Sequence, residues 1–234
     1  MRTHPSFVEG VISISPTKTT LTFANQILFH VHKDFYSFLG TQNYTQMYSP
    51  VIVKRSLIGV SDNRMCHEAT FESLNEQKCL LRYRNYAVVV DKATRKPHNI
   101  HSDTAGNPAF GEAKANWKFV HKPNLTFTNK VTIRYSDLDE NNHCNVTVFI
   151  RHCIDCASLA YSRNQLKYFS HDVCFYKLKS VLVRFRREAL VHNEITVHGW
   201  QEWASRDAIY FQIFRDDELL TQCKVAFHMD VSKL

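Results

Sequence analysis

The stretch RYSDLDENNHCNVTVFIRHCIDC, residues 134–156, links a predicted strand to a predicted helix through a polar turn. Lys130–Tyr135 forms the predicted strand. Asn145–Tyr168 is predicted to be the helix because apolar residues recur there at helical spacing; they are Val148, Phe149, Cys153, Ile154, Cys156, Ala157 and Ala160. This strand–turn–helix unit is the starting point for the rest of the chain.

The turn carries four side chains suited to catalysis, namely Asp137, Asp139, Asn141 and His143. Backbone N–H groups and the positive end of the helix dipole meet at such a turn, which suits a developing oxyanion. Asn supplies a neutral donor, His donates or accepts near neutral pH, and a carboxylate orients neighbours or activates water. Asp and Asn also cap helices for structural reasons alone. The local sequence leaves both interpretations open.

A second charged segment, Arg184-Phe185-Arg186-Arg187-Glu188, lies on the strand predicted at Ser180–Ala189. Side chains alternate along a strand, so Glu188 is expected on the face of Arg184 and Arg186 unless a bulge intervenes. A solvated edge strand with surface ion pairs is the structural alternative.

The two halves of the chain show the same predicted order, a helix followed by an antiparallel meander. In the first half, Ala24–Leu39 is predicted to be a helix ending at Gly40, and the predicted strands are Ser49–Ile58, Met65–Leu74 and Lys78–Val90. After Ser180–Ala189, the second half continues with predicted strands at Glu194–Trp203, Ala208–Arg215 and Leu219–Met229. We interpret the chain as a tandem repeat of one α+β unit.

The turn S-D-L-D-x-N-x-H-x-N, its helix and the downstream R-R-E closely resemble the acyl-acyl carrier protein (acyl-ACP) thioesterases of plants and bacteria. They resemble more broadly the hot-dog acyl-CoA thioesterases of the hydroxybenzoyl type. The segment 85–97 looks like the last strand and basic tail of the first hot dog in the acyl-ACP family. The resemblance covers most of residues 50–230. It implies an α+β double (tandem) hot-dog, in which a curved antiparallel sheet wraps a long helix in each half.

The resemblance, together with the Gly- and Pro-containing stretch after residue 97 and the last three residues of the chain, predicts a domain organisation. Residues 1–97 would form an N-terminal hot dog that is degenerate and non-catalytic, and 98–117 would form a linker. Residues 118–231 would form the catalytic hot dog, and 232–234 a targeting tail. Such a chain has one active site and is expected to be a monomer with an internal pseudo-dimer or a homodimer.

Carried over residue by residue, the family's catalytic groups fall on Asp139, Asn141, His143 and Glu188. Glu188 would activate water with His143, while Asp139 would hold Asn141 and His143. Direct attack by a carboxylate, giving an anhydride, is an alternative route. Neither route needs a metal or other cofactor. Basic residues near the expected site would bind the phosphates of CoA or form surface ion pairs; they are Lys179, Arg184, Arg186 and Arg187.

Composition and the C-terminus narrow the function further. The 234 residues carry a net charge of +7, spread without a basic block or an apolar membrane span, so we expect neither nucleic-acid binding nor a membrane span. The chain ends in Ser232-Lys233-Leu234, the tripeptide read by the peroxisomal import receptor. A peroxisomal matrix location favours acyl-CoA as the substrate. The alternatives are an acyl-ACP substrate, a non-catalytic acyl-CoA sensor and an enoyl-CoA hydratase.

Overall fold

The computed structural model describes residues 20–40, 51–74, 77–94, 96–99, 119–139 and 142–229. The helices within these ranges are α1 (Lys33–Gly40) and α2 (Val146–Ser162), with 3-10 turns at Tyr135–Asp137 and Val173–Phe175. The strands are β1 (Thr20–Val31), β2 (Val51–Ser61), β3 (Arg64–Ser73), β4 (Cys79–Asp91), β5 (Phe127–Thr132), β6 (Lys177–Phe185), β7 (Glu194–Glu202), β8 (Ser205–Arg215) and β9 (Glu218–His228). Neither helix is long and apolar enough to cross a membrane.

All nine strands form one sheet in the order β2-β3-β4-β1-β6-β9-β8-β7-β5. Every neighbouring pair is antiparallel. The two halves of the chain meet where β1 pairs with β6, from Gln26 opposite Arg184 to His30 opposite Ser180. The predicted meanders are present as β2–β3–β4 and β7–β8–β9. The strand predicted to open the second meander, β6, pairs instead with β9 and β1.

Helix α2 is held at both ends by its own sequence. Asn145 caps the start, because its side-chain oxygen accepts a hydrogen bond from the Thr147 amide at 3.0 Å. The helix ends at Ser162, earlier than predicted, since Asn164 adopts a left-handed φ of 56°. The Gln165 amide then donates to the Ala160 carbonyl at 2.9 Å, as in a Schellman motif.

The main core lies between α2 and the second half of the sheet. The predicted apolar face of α2 packs on alternate residues of the strands, and each fully buried Val, Ile or Phe stabilises the fold by about 1.5–3 kcal/mol. Central members of this cluster are Phe149, Cys153, Ala157, Val183, Val197, Phe211 and Val225. The core therefore fixes the start of α2, and with it the polar turn, against the sheet.

The helix predicted at 24–39 is wrong over most of its length. Residues up to Val31 belong to β1, and only Lys33–Gly40 is helical. β1 pairs with β4 on one side and β6 on the other. A short apolar run such as Ile27-Leu28-Phe29 fits a buried strand as well as it fits a buried helix segment. Because this segment pairs with both β4 and β6, it forms a strand.

The first half of the sheet repeats part of the second. From the seam outward the order is β1-β4-β3-β2 in the first half and β6-β9-β8-β7 in the second. β1–β4 therefore correspond to β6–β9. The described residues of the first half contain no counterpart of β5 or of the long helix α2. Only one long helix is thus present in the part of the chain that the structure describes.

The segment that leads into β5 crosses the face of the sheet opposite α2. Val120 packs there on a second cluster that contains Trp200, Tyr210 and Ala226. The Phe119 ring lies 5.2 Å from the Arg184 guanidinium carbon. Most of the predicted linker, from residue 100 onward, lies outside the described residues.

Candidate active site

The polar turn before α2 is closed at its neck by backbone hydrogen bonds. The Asn145 amide donates to the Asp137 carbonyl at 2.8 Å. Just inside this bond, Leu138 and Cys144 form an isolated β-bridge. The two arms of the turn are therefore held together where α2 begins.

Asp139 holds the tip of the turn with both its backbone and its side chain. Its amide donates to the His143 carbonyl at 2.8 Å, and its carbonyl accepts from the Asn142 amide at 3.0 Å. Its Oδ1 accepts from the His143 amide at 3.2 Å. Asn142 closes the loop with a left-handed φ of 61°, a conformation that Asn tolerates. Asn141, the predicted amide donor, lies outside the described residues.

His143 and Glu188 face each other beside this turn. His143 Nε2 lies 3.1 Å from Glu188 Oε2. The His143 side chain is mostly buried, at 14% exposure, whereas the Glu188 side chain is 51% exposed. The Cys144 amide donates to the Ala189 carbonyl at 2.8 Å and so joins the two segments. The pair combines a fixed imidazole with a carboxylate that solvent can reach.

A bulge after β6 directs Glu188 towards the turn. The amides of Arg186 and Arg187 both donate to the Leu220 carbonyl, at 2.8 and 3.2 Å, so two residues oppose one. Alternation along the strand is broken at that point. Glu188 is expected on the face of Arg184 and Arg186 only without a bulge; the bulge is present and separates Glu188 from these arginines.

The predicted arginines line a groove of about 560 Å³ at the end of β6, together with Phe185, Glu218 and Leu219. Burial, and next to it the charge of Arg186, hold the pKa of Arg184 below its usual value. Arg186 Nη2 lies 3.5 Å from Gln222 Oε1, and Arg187 Nε lies 3.1 Å from Glu218 Oε1. The structure thus brings Arg184, Arg186 and Arg187 together.

Lys179 lies away from this groove. Its Nζ pairs with Asp207 Oδ2 at 2.8 Å. It precedes Phe185 on β6 by six residues, or roughly 20 Å of strand. The structure therefore separates Lys179 from the other residues predicted to bind CoA phosphates.

A charged pair beneath the turn was not recognised from the sequence. The Asp137 side chain is almost fully buried, and its Oδ1 accepts from Arg151 Nη2 at 2.6 Å. Burial opposes ionisation of Asp137, but hydrogen bonds from the Arg134 amide and Arg151 outweigh it and lower the pKa. Arg151 lies on the polar side of α2, where no sequence pattern distinguishes it from a solvated arginine.

The cysteines near the site are core thiols. Burial, followed by the charge of Asp137, raises the pKa of Cys144 to about 12. Burial likewise raises the pKa of Cys156 to about 12. Neither thiol forms a thiolate nucleophile near neutral pH. Among the described residues, no group of three or more His, Cys, Asp and Glu side chains could hold a metal ion.

The architecture, a wide antiparallel sheet with one long helix packed on it, is that of hot-dog proteins. The chain is similar to an acyl-ACP thioesterase from Bacteroides thetaiotaomicron VPI-5482, with a TM-score of 0.58 and 14% identity over 90% of this chain and 77% of that one. It is similar to the 12:0-ACP thioesterase from Umbellularia californica, with a TM-score of 0.61 and 14% identity over 90% of this chain and 76% of that one.

The fold is shared with proteins of another kind. Full-length peroxisomal multifunctional enzyme type 2 from Drosophila melanogaster matches with a TM-score of 0.50 and 11% identity, over 88% of this chain and 37% of that one. No protein-family model and no curated protein sequence matches the chain. The resemblance predicted from the turn is therefore confirmed at the level of the fold, and function has to be argued from the site.

Proposed function

We propose that this protein hydrolyses acyl thioesters. The observation that carries the proposal is the contact of 3.1 Å between His143 Nε2 and Glu188 Oε2 beside the start of α2. Acyl-ACP thioesterases with the same fold add support. An imidazole and a half-exposed carboxylate in contact form a unit that can hold and deprotonate a water molecule.

In the proposed reaction, Glu188 removes a proton from water as the water oxygen bonds to the thioester carbonyl carbon. The positive end of the α2 dipole and Asn141 stabilise the oxyanion. The carbon–sulfur bond then breaks, and the thiolate takes the proton held by the His143–Glu188 pair. The products are a carboxylic acid and a thiol. Attack by the Glu188 carboxylate itself, followed by hydrolysis of the anhydride, gives the same products.

We further propose that the chain is a tandem hot-dog whose first half is reduced to the equivalent of its last four strands. The correspondence of β1–β4 with β6–β9 about the seam supports this arrangement. The proposed units are residues 1–97 and 118–231, joined by the linker at 98–117. The first half would complete the sheet and contain no catalytic group, within a monomer or a homodimer.

Fatty acyl-CoA in the peroxisomal matrix is the substrate we propose. The terminal Ser232-Lys233-Leu234 supports the location, although these residues lie outside the described part of the chain. The groove lined by Arg184, Arg186 and Arg187 suits the phosphates of CoA, since guanidinium groups bind phosphate in a fork. Acyl-ACP is the alternative substrate, favoured by the similarity to the Umbellularia thioesterase.

One assay separates these substrates. Purified protein is given a series of saturated acyl-CoAs and the matching acyl-ACPs, and thiol release is followed. We expect release from acyl-CoA with kcat/KM at least about tenfold above that for acyl-ACP, given the groove. A higher kcat/KM for acyl-ACP would identify acyl-ACP as the substrate instead. Tight binding of acyl-CoA without thiol release would instead indicate a sensor.

Location is tested separately with a fluorescent protein fused to the N-terminus, which leaves the C-terminal tripeptide free. The intact chain is expected in peroxisomes, and the chain lacking Leu234 in the cytosol. A cytosolic signal from the intact chain would remove the argument from location for CoA over ACP.

A further inference from the structure

Asp137 is the one carboxylate among the described residues whose side chain is buried. Its Oδ2 accepts from the Arg134 amide at 2.9 Å, and its Oδ1 accepts from Arg151 Nη2 at 2.6 Å. Hydrogen bonds in which both partners are charged are short and strong, and the distance to Arg151 fits that description. The Asp137 side chain is 3% exposed, and the Arg151 side chain is 54% exposed.

The pair connects the catalytic turn to the body of α2. Asp137 also closes the neck of the turn, because its carbonyl accepts from the Asn145 amide at 2.8 Å. Arg151 belongs to the second turn of α2. Asp137 therefore ties the start of the turn to the helix at two points, two residues before Asp139.

We infer that Asp137 and Arg151 are positioning residues that fix the turn so that His143 meets Glu188. This inference rests on the proposed thioesterase function. If Arg151 is lost, the Asp137 carboxylate remains buried without its counter-charge, a costly state. The neck then opens to hydrate the carboxylate, or the carboxylate takes up a proton. Displacement of His143 by about 1 Å is enough to lower turnover about a hundredfold.

The first test is kinetic. R151M is expected to lower kcat about 10- to 100-fold and to change KM less than about threefold, since the pair lies beneath the turn and does not touch substrate. R82M is the matched control. Arg82 is 47% exposed and lies 3.9 Å from Glu68, which keeps its closer partner Arg84. R82M is expected to retain wild-type kcat and KM.

A double variant tests whether the buried charge is the cause. D137N/R151M removes the carboxylate charge together with the guanidinium, and Asn still accepts from the Arg134 amide. We expect kcat to recover at least about tenfold relative to R151M, because no unpaired charge is left. R151K keeps the charge without the fork and is expected to fall between wild type and R151M. If the two substitutions lower kcat additively in the double variant, the inference is wrong.

Hydrogen exchange gives a readout that does not depend on activity. In R151M, the peptide spanning 137–145 is expected to exchange at least about tenfold faster than in wild type or R82M, because its amide bonds at Asp139, His143 and Cys144 open with the neck. If exchange of this peptide in R151M is unchanged, the inference is wrong. If kcat is nevertheless lowered in R151M, Arg151 contacts the substrate directly. If R151M exchanges faster but the wild-type protein hydrolyses no thioester, the positioning role of Asp137 and Arg151 is supported and the proposed function is refuted.

Discussion

The imidazole of His143 lies 3.1 Å from the carboxylate of Glu188, although the two residues belong to segments with no strand pairing between them. Their neighbours make the connection, since the Cys144 amide donates to the Ala189 carbonyl. The bulge at Arg186 and Arg187 is the second requirement, because without it Glu188 would follow the alternation of β6. The pair therefore depends on backbone geometry in both segments.

Substitution of either partner is expected to lower turnover strongly without unfolding the protein. E188Q and H143A should each lower kcat at least about a hundredfold, as losing a positioned acid–base group does. The Tm should change little in E188Q because Glu188 is half exposed. E194Q is the matched control: Glu194 is 64% exposed and pairs with Lys130 across β5 and β7. Wild-type turnover in E188Q would refute the assignment of Glu188 as the base.

The sequence was sufficient for the local features and insufficient for the contacts between distant segments. The turn and the helix that follows it are encoded within a few residues, and the sequence predicts both. β1 was mistaken for a helix because its apolar run fits both structures and only its pairing with β4 and β6 decides. The bulge at Arg186 depends on hydrogen bonds to the Leu220 carbonyl, which is distant in sequence, so the residues around Arg186 do not predict it.

Arg151 shows the same limit within the site. It lies outside the apolar face of α2, and its side chain is 54% exposed. Its bond to Asp137 could not be predicted, because the path of the turn decides whether that carboxylate points into the protein or into solvent. Local chemistry thus identified candidates for the site, and tertiary structure decided which of them meet.

His152 is expected to make stability depend on pH. It is buried on α2, and neither ring nitrogen has a hydrogen-bond partner. Burial, and next to it the charge of Arg151, lower its pKa, against the opposing charges of Asp137 and Asp155. The unfolded chain therefore binds a proton at a higher pH, about 6.5, than the folded chain does. The free energy of unfolding should therefore fall as the pH drops below about 6.5, the pKa of a histidine in the unfolded chain.

The comparison of wild type with H152L isolates this contribution. Urea unfolding between pH 7.5 and pH 5 should show a shallower decline in H152L, which has no group to protonate at that position. At pH 7.5 the variant should be as stable as wild type or more so, because an apolar side chain replaces an unpaired polar one. Parallel curves for the two proteins would show that His152 does not contribute to the pH dependence.

A side chain at Gly199 is expected to destabilise the protein for steric reasons. It lies opposite Phe127 on the paired strands β7 and β5. A Cβ atom at Gly199 would overlap the Phe127 ring. G199A should therefore destabilise the protein by about 1–3 kcal/mol, the usual cost of overpacking, as measured by urea unfolding. In an F127V background the same substitution should cost less, since the ring is gone. Equal costs in the two backgrounds would contradict the steric explanation.

One productive site per chain is expected, because the described residues repeat only part of the second half in the first. β1–β4 match β6–β9, but the strand, turn and helix that carry Asp139 and His143 have no described counterpart. Three residues after β1, where Glu188 follows β6, the chain has Asp34 in the first turn of α1, so that position lies on a helix and carries no glutamate.

Calorimetric titration of E188Q with a non-hydrolysable acyl-CoA thioether measures the number of sites, since E188Q keeps the fold and the arginine groove while chemistry is blocked. We expect one ligand bound per chain. A pre-steady-state burst in wild type, if acyl-enzyme accumulates, should have an amplitude no greater than one product per chain. Two equivalent ligands per chain would mean that the first half binds substrate on its own, and half a ligand per chain would mean that two chains share one site. Either result would refute the division of roles in which the first half completes the sheet and the second half carries the reacting groups.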